Sequence, residues 1–239
     1  MRFIHLETVG STQDEARELY RSGERGAVWI RADAQTRGRG RQEREWVSKT
    51  GNLYASHLRP NEKAASESAL MGFAAALAIA ETVEAYRVVQ SVTLKWPNDV
   101  LVGGDKISGL LVERLDHALI FGIGINLVSH PDDTRYGATH LVACMSPDDL
   151  ARAEPLYTGP SAVLAQLAKR MEVWLDRFDA DGFEPVRKAW LSRAHHLGRM
   201  VTVNGQTGLF QDLGDDGALC LKLADGRETR VHAGDVSFG

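Results

Sequence analysis

The spacing of apolar positions changes several times along the chain, and each change marks a new element. Phe3 to Leu6 reads as a short strand. Thr12 and Glu15 have capping-box spacing for a helix through Tyr20, with Gly23 as its stop. Ala27 to Ile30 and Leu53 to Ser56 are β-prone and bracket a polar loop over residues 33–52, too long for an ordinary connection. Ser66 to Tyr86 reads as a helix rich in small residues, and Val92 to Trp96 as a strand stopped by Pro97. Val100 to Val102, Gly103-Gly104-Asp105 and Ile107 to Glu113 have the form of a β-hairpin. Ala118 to Ile125 is a near-continuous apolar strand suited to the centre of a sheet. Leu164, Leu167, Met171, Trp174 and Phe178 recur at three and four, predicting an amphipathic helix over 161–180, with another over Phe183 to Leu197. From Arg199 onward Asn204-Gly205, Gly214-Asp215-Asp216-Gly217 and Asp225-Gly226 punctuate short strands. The expected architecture is α+β, a sheet packed against helices over residues 1–195, with a small β-barrel over 196–239.

Length and composition narrow the function classes. The chain has 239 residues, enough for a substantial core. Lys and Arg number 28 against 32 Asp and Glu, a net charge of −4, so cationic features are local and a DNA-coating role is disfavoured. Cys144 and Cys220 stand far apart with no Cys-x-x-Cys pair, which points to a cytoplasmic protein without a cysteine metal site. The longest apolar run, Ala69 to Ala80, is short of a membrane span and reads as a buried helix. Glu7 interrupts any signal-peptide pattern, so nothing points to export.

Four stretches carry candidate chemistry. Gln35 to Trp46 places Arg37, Arg39, Arg41 and Arg44 within eight residues, interrupted by Gly38 and Gly40. Like charges on a glycine-loosened segment resist ordering until an anion neutralises them, so the segment suits closure over a phosphate or carboxylate. Read plainly, it is a solvated charged loop. Lys95-Trp96-Pro97-Asn98-Asp99 sets a cation, hydrogen-bonding groups and an anion at a strand end, or is ordinary turn chemistry. Lys106 enters an apolar strand and needs an anionic partner or solvent. Gly122-Ile123-Gly124-Ile125-Asn126 lacks dinucleotide-loop spacing and better suits small residues facing a flat ligand.

Order and spacing tie these stretches together. Ser11-Thr12-Gln13, the arginine-glycine loop, Gly51-Asn52-Leu53-Tyr54, Lys95 to Asp99, Lys106-Ile107-x-Gly109, Gly122 to Asn126 and Gly234-Asp235-Val236-Ser237 together closely resemble biotin protein ligases over nearly the whole chain. The resemblance implies a mixed sheet packed against helices, related to that of class II aminoacyl-tRNA synthetases, and a C-terminal Src-homology-3-like barrel. It implies that ATP activates biotin to biotinyl-5'-AMP, with Mg²⁺ held mainly by phosphate and water rather than by direct protein ligation. Biotin then passes to a lysine of a biotin carboxyl carrier protein of acetyl-CoA carboxylase or a related carboxylase.

By the same resemblance, Ser11, Thr12, Gln13, Gln35, Arg39, Gly40, Arg41, Lys106, Gly109, Gly122 and Gly124 surround biotin. Arg41, Arg44, Trp46, Lys95, Asn98 and Asn126 meet ATP or the adenylate. Lys106, Arg39 and Arg41 act on the reacting charges, and Asp99 orients or deprotonates the acceptor lysine. Gln13, Arg37, Glu43 and Lys49 depart from the family's Asn, small residue, Gly and Pro, and Glu43 puts ATP affinity and loop dynamics in question. The alternatives are a lipoate ligase, against which the arginine loop argues, and a non-enzymatic biotin-responsive regulator. A DNA-binding repressor is disfavoured because the first strand starts at about Phe3, leaving the form without an N-terminal DNA-binding module as the expectation. A homodimer is left open.

Overall fold

Two parallel strands, β1 (Arg2–Val9) and β2 (Val28–Gln35), need a crossover, and α1 (Thr12–Arg21) supplies it. The computed structural model describes residues 1–132, 137–152 and 159–238. Antiparallel strands β3 (Leu53–Pro60), β4 (Val92–Lys95), β5 (Asp99–Val102), β6 (Asp105–Arg114) and β7 (Ala118–Ile125) complete a mixed seven-stranded sheet of order β1-β2-β3-β7-β6-β5-β4. The apolar strand Ala118 to Ile125 is thus central, as its pattern predicts.

Both faces of β7 are covered, which explains its lack of alternation. Leu119, Phe121, Ile123 and Ile125 join the large core beneath α2 (Ala65–Glu84) and α5 (Pro160–Asp181), while Ala118 and Ile120 join a smaller core under α1. Helix α2 is long and apolar enough to cross a membrane by length and composition, yet most of it is buried inside the fold, packed on α5 and α6 (Phe183–Leu191). Burying a side chain such as Leu77 or Met71 there contributes about 1.5–3 kcal/mol. Two short helices, α3 (Leu141–Cys144) and α4 (Pro147–Arg152), follow β7.

Strands β8 (Met200–Val203), β9 (Gln206–Leu213), β10 (Leu219–Leu223), β11 (Glu228–Val231) and β12 (Val236–Ser237) form a second, antiparallel sheet of order β11-β10-β9-β8-β12. This matches the expected small SH3-like unit. Its seat on the first unit is specific: Trp96 Nε1, just after β4, donates to the Gly217 carbonyl at 3.0 Å and Arg187 Nε, on α6, to that of Leu213 at 2.6 Å.

Three local expectations are corrected. The α1 cap is Ser11, whose hydroxyl accepts from Gln13 N at 3.2 Å, because Thr12 is engaged with Gln35 instead of capping. The long loop begins only after Gln35, since β2 pairs with β1 through that residue. The helix from Phe183 ends at Leu191, not Leu197, because the following chain bonds to β4 through Leu94 N to Arg193 O and His195 N to Leu94 O.

Candidate active site

On the α1 side of the sheet, β7 continues from Ala118 and Ile120 to Gly122 and Gly124, and the missing side chains leave a hollow. Gly109 of β6 lies opposite Gly124 in the ladder and widens it. The resulting cavity has a volume of about 340 Å³. Every residue assigned to the site from the sequence lines it, from Ser11, Thr12, Gln13 and Gln35 through Arg39, Gly40, Arg41, Arg44 and Trp46 to Lys95, Asn98, Asp99, Lys106, Gly109, Gly122, Gly124 and Asn126.

One end of the cavity is a buried polar cluster. Gln35 Oε1 accepts from Thr12 N at 2.8 Å and from Thr12 Oγ1 at 3.2 Å, while Gln35 Nε2 donates to Ser48 Oγ at 3.0 Å. Ser56 Oγ, on β3, donates to Thr12 Oγ1 at 2.9 Å and lies 3.3 Å from Gln13 Oε1. Gln13 packs against Gly122, where an added Cβ would come within 2.7 Å of its amide carbon. Its Nε2 is buried with no hydrogen-bond partner among the described residues. A buried donor left unmade costs about 1–3 kcal/mol, so the cluster offers a donor to an incoming acceptor.

The other end is ionic. Lys106 Nζ lies 2.7 Å from Asp99 Oδ1, so the lysine has the anionic partner its apolar strand demands. Asn98 Nδ2 donates to Leu110 O at 2.6 Å, Asn126 Nδ2 to Thr139 O at 3.0 Å, and buried Lys95 lies over the Phe238 ring at 5.6 Å. Among the described residues no three His, Cys, Asp or Glu side chains converge into a metal site.

The arginine loop is more ordered than its composition implies. Trp46 N donates to Gly38 O at 2.9 Å and Gly40 N to Arg44 O at 2.8 Å, closing a small antiparallel bridge. Three of its four arginines meet anions of the protein itself. Asp14 meets Arg39, and Asp235 of the C-terminal unit meets Arg44 and stands 3.9 Å from Arg41. Arg41 Nη1 also donates to Asn98 Oδ1 at 3.3 Å and to Gly234 O at 3.4 Å. The nearby guanidinium groups hold the Asp235 carboxyl below its ordinary range despite its burial. Arg39, Arg41 and Arg44 thus have carboxylate neighbours without a ligand anion, contrary to the expectation from the loop's composition.

Trp46 is the flat group that the glycines face. Its ring fills the space over Gly124, where a Cβ would lie 2.5 Å away, and over Gly109, where it would lie 2.9 Å away. Lys106 Nζ sits 5.4 Å from its ring centroid. Gln42 and Glu43 adopt φ of 56° and 55°, the left-handed region that favours glycine, which places the departure at Glu43 on a strained position. Asp14, Ser48, Ser56, Glu113 and Thr139 are supporting groups that the sequence did not single out, Ser56, Glu113 and Thr139 because they reach the site from other elements, Asp14 and Ser48 because they lie beside the recognised stretches with no signal of their own.

Similarity to known proteins is extensive. Residues 9–128 match the biotin/lipoate A/B protein ligase family and residues 196–239 the biotin protein ligase C-terminal domain. The chain is 35% identical to the biotin--[acetyl-CoA-carboxylase] ligase of Paracoccus denitrificans, with 98% of this chain and 99% of that one aligned. It is 30% identical to the bifunctional ligase/repressor BirA of Bacillus spizizenii, covering 99% of this chain and 74% of that one. The structure of the Aquifex aeolicus biotin protein ligase in complex with biotin and ATP superposes with a TM-score of 0.80 at 28% identity, covering 99% of this chain and 97% of that one.

Proposed function

The chain belongs to the biotin protein ligase family, and from that premise we propose how its cavity activates biotin with ATP and passes it to a biotin carboxyl carrier protein. The observation that carries the reading is the buried polar cluster ending in the Gln13 amide nitrogen, which has no partner among the described residues. The ureido head of biotin offers a carbonyl acceptor and N–H donors to Gln13, Ser11, Thr12 and Gln35. A lipoyl dithiolane offers neither, and would leave those buried groups unmade.

In the first half-reaction a biotin carboxylate oxygen forms a bond to the α-phosphorus of ATP and the bond to the β-phosphate bridge breaks, releasing pyrophosphate. Both partners are anions, so the cost of bringing them together falls on the cations at the ionic end. Lys106, held in place by Asp99, and Arg41, held by Asn98 and the Gly234 carbonyl, are the charges aimed there. Lys95, Asn98, Asn126 and Arg44 take the nucleotide, and Trp46 covers it. Mg²⁺ would be carried by the triphosphate and water, adding positive charge at the transferred group, because Asp99 and Asp235 are already engaged by Lys106 and by Arg44.

In the second half-reaction the carrier lysine, neutral when it attacks, bonds to the acyl carbon. AMP leaves and the ammonium proton is lost. Asp99 supports this step by positioning Lys106 beside the acyl phosphate, and it can take the proton only by giving up that pair. We assign catalysis to residues 1–195 and a clamping role to the barrel over 196–239, through Asp235. Two free thiols, Cys144 and Cys220, support a cytoplasmic setting.

The test is incubation with ATP, Mg²⁺ and either biotin or lipoate, with mass detection of the acyl-adenylate. Biotinyl-adenylate is expected. Lipoyl-adenylate in preference to it would overturn the reading.

A further inference from the structure

Beside the polar end of the cavity, four charged side chains from three elements form a closed, neutral quartet. Arg39 of the loop makes a two-pronged contact with Asp14 of α1, Nη2 to Oδ1 at 2.8 Å and Nη1 to Oδ2 at 3.1 Å. Arg17, one turn along α1, donates to Asp14 Oδ1 at 2.6 Å and to Glu113 Oε2 of β6 at 2.5 Å. Glu113 Oε1 closes the ring 3.6 Å from Arg39 Nη2. The Arg39 side chain is only 19% exposed, and the Asp14 carboxyl is held below its ordinary range chiefly by the Arg39 hydrogen bond. Asp14 also lies in the first turn of α1, where the helix dipole favours a carboxylate.

Lys106 is also paired, but through a single contact with Asp99, and Arg41 comes no closer than 3.9 Å to Asp235, whereas Arg39 is forked onto Asp14 by two bonds, so this arginine differs from both in how firmly it is tied to another element. A guanidinium forked onto a carboxylate has two of its five N–H donors engaged and its position fixed, and a ligand anion that sought the same fork would have to compete with that carboxylate. The three tethered elements also matter. Helix α1 carries Ser11, Thr12 and Gln13, β6 carries Lys106 and Gly109, and the loop carries Arg41 and Trp46.

We propose that Arg39 acts as a positioning residue, its guanidinium latching the loop to α1 and β6 through Asp14, Arg17 and Glu113, and that it is not a cation supplied to the reacting carboxylate or phosphate. This rests on the ligase reading of the cavity and reassigns one residue within it. The latch fixes the loop backbone at Arg39 and Gly40 against the biotin end, so its loss displaces a binding wall. A misplacement of that kind lowers kcat/KM by up to about 10²-fold without removing any group that touches the ligand.

A double-mutant cycle on Asp14→Asn and Arg39→Gln separates the two roles. A latch predicts that each single variant raises the KM for biotin while sparing kcat, by similar factors, and that the double variant is no worse than either. If Arg39 instead served the ligand anion, Asp14→Asn would free the cation, leaving or improving biotin affinity, and Arg39→Gln would lower kcat; either result overturns the proposal. Hydrogen exchange of the amides over residues 38–46 in the free protein gives a second readout that needs no turnover. Faster exchange in Asp14→Asn than in the parent is expected, and unchanged exchange in a folded variant would overturn the latch even if the parent proved not to be a biotin ligase. Absence of adenylate formation in the parent, with the exchange result intact, would count against the ligase reading alone.

Discussion

Replacing Lys106 by alanine tests the ionic end of the cavity. The side chain is about one-third exposed and its ammonium pairs with Asp99, whose side chain is 15% exposed. Deleting it leaves a largely buried carboxylate without that partner, at a cost between that of an exposed pair and a buried one, about 1–3 kcal/mol. Against a typical stability of about 5–15 kcal/mol, the variant remains folded. The loss in the reaction is larger. Removing one preorganised donor from developing charge typically costs about 2.7–4 kcal/mol, or roughly 10²- to 10³-fold in rate. Single-turnover adenylation, followed by pyrophosphate release and by the mass of the acyl-adenylate, should therefore slow by about that factor while the thermal midpoint falls only modestly. Adenylation within fivefold of the parent in a folded Lys106→Ala protein would refute the assignment.

Three other outcomes follow from the same geometry. Glu43→Gly should relieve the left-handed backbone at φ 55°, raising the thermal midpoint modestly; an unchanged or lowered midpoint would show that Glu43 is not a source of strain. Asp235→Asn should loosen the loop from the barrel through Arg44 and Arg41, speeding hydrogen exchange of the amides over residues 38–46; exchange unchanged from the parent would argue against the clamp. His57 is stacked on Trp29 at 4.4 Å, and burial pushes its pKa down to about 3 from 6.5. The unfolded imidazole therefore takes up a proton that the folded one refuses, and stability falls as pH drops from about 6.5 toward 3, by up to ~1.4 kcal/mol per pH unit. Urea unfolding of the parent and His57→Phe at pH 7.5 and 5 should show a shallower pH dependence in the variant, and parallel dependences would refute the coupling.

Much of this architecture was legible in the chain because apolar periodicity and glycine placement are local signals. Ala118 to Ile125 reads as a near-continuous apolar strand at the sheet's centre, and Gly122 and Gly124 within it as small residues facing a flat group. The arginine loop declared its charge but not its partners. Asp14, Glu113 and Asp235 lie about 25, 74 and 191 positions from the arginines they meet and belong to no arginine-rich pattern, so only the packed sheet and barrel reveal them. The Ser11 cap was hidden for a similar reason, since the bond from Thr12 to Gln35 crosses between elements. The premature end of the helix at Leu191 likewise depends on Leu94, a strand residue nearly a hundred positions earlier.

One cavity serves both half-reactions, making biotinyl-5'-AMP and then handing biotin to a carrier lysine. The most direct test is a pulse and chase: load the protein with biotin, ATP and Mg²⁺, remove free nucleotide, add a biotin carboxyl carrier domain, and follow both species by mass. Protein-bound biotinyl-adenylate should form first, then disappear in step with the appearance of one biotin on a single carrier lysine, without further ATP. An adenylate that never forms, or that decays without modifying the carrier, would contradict the account.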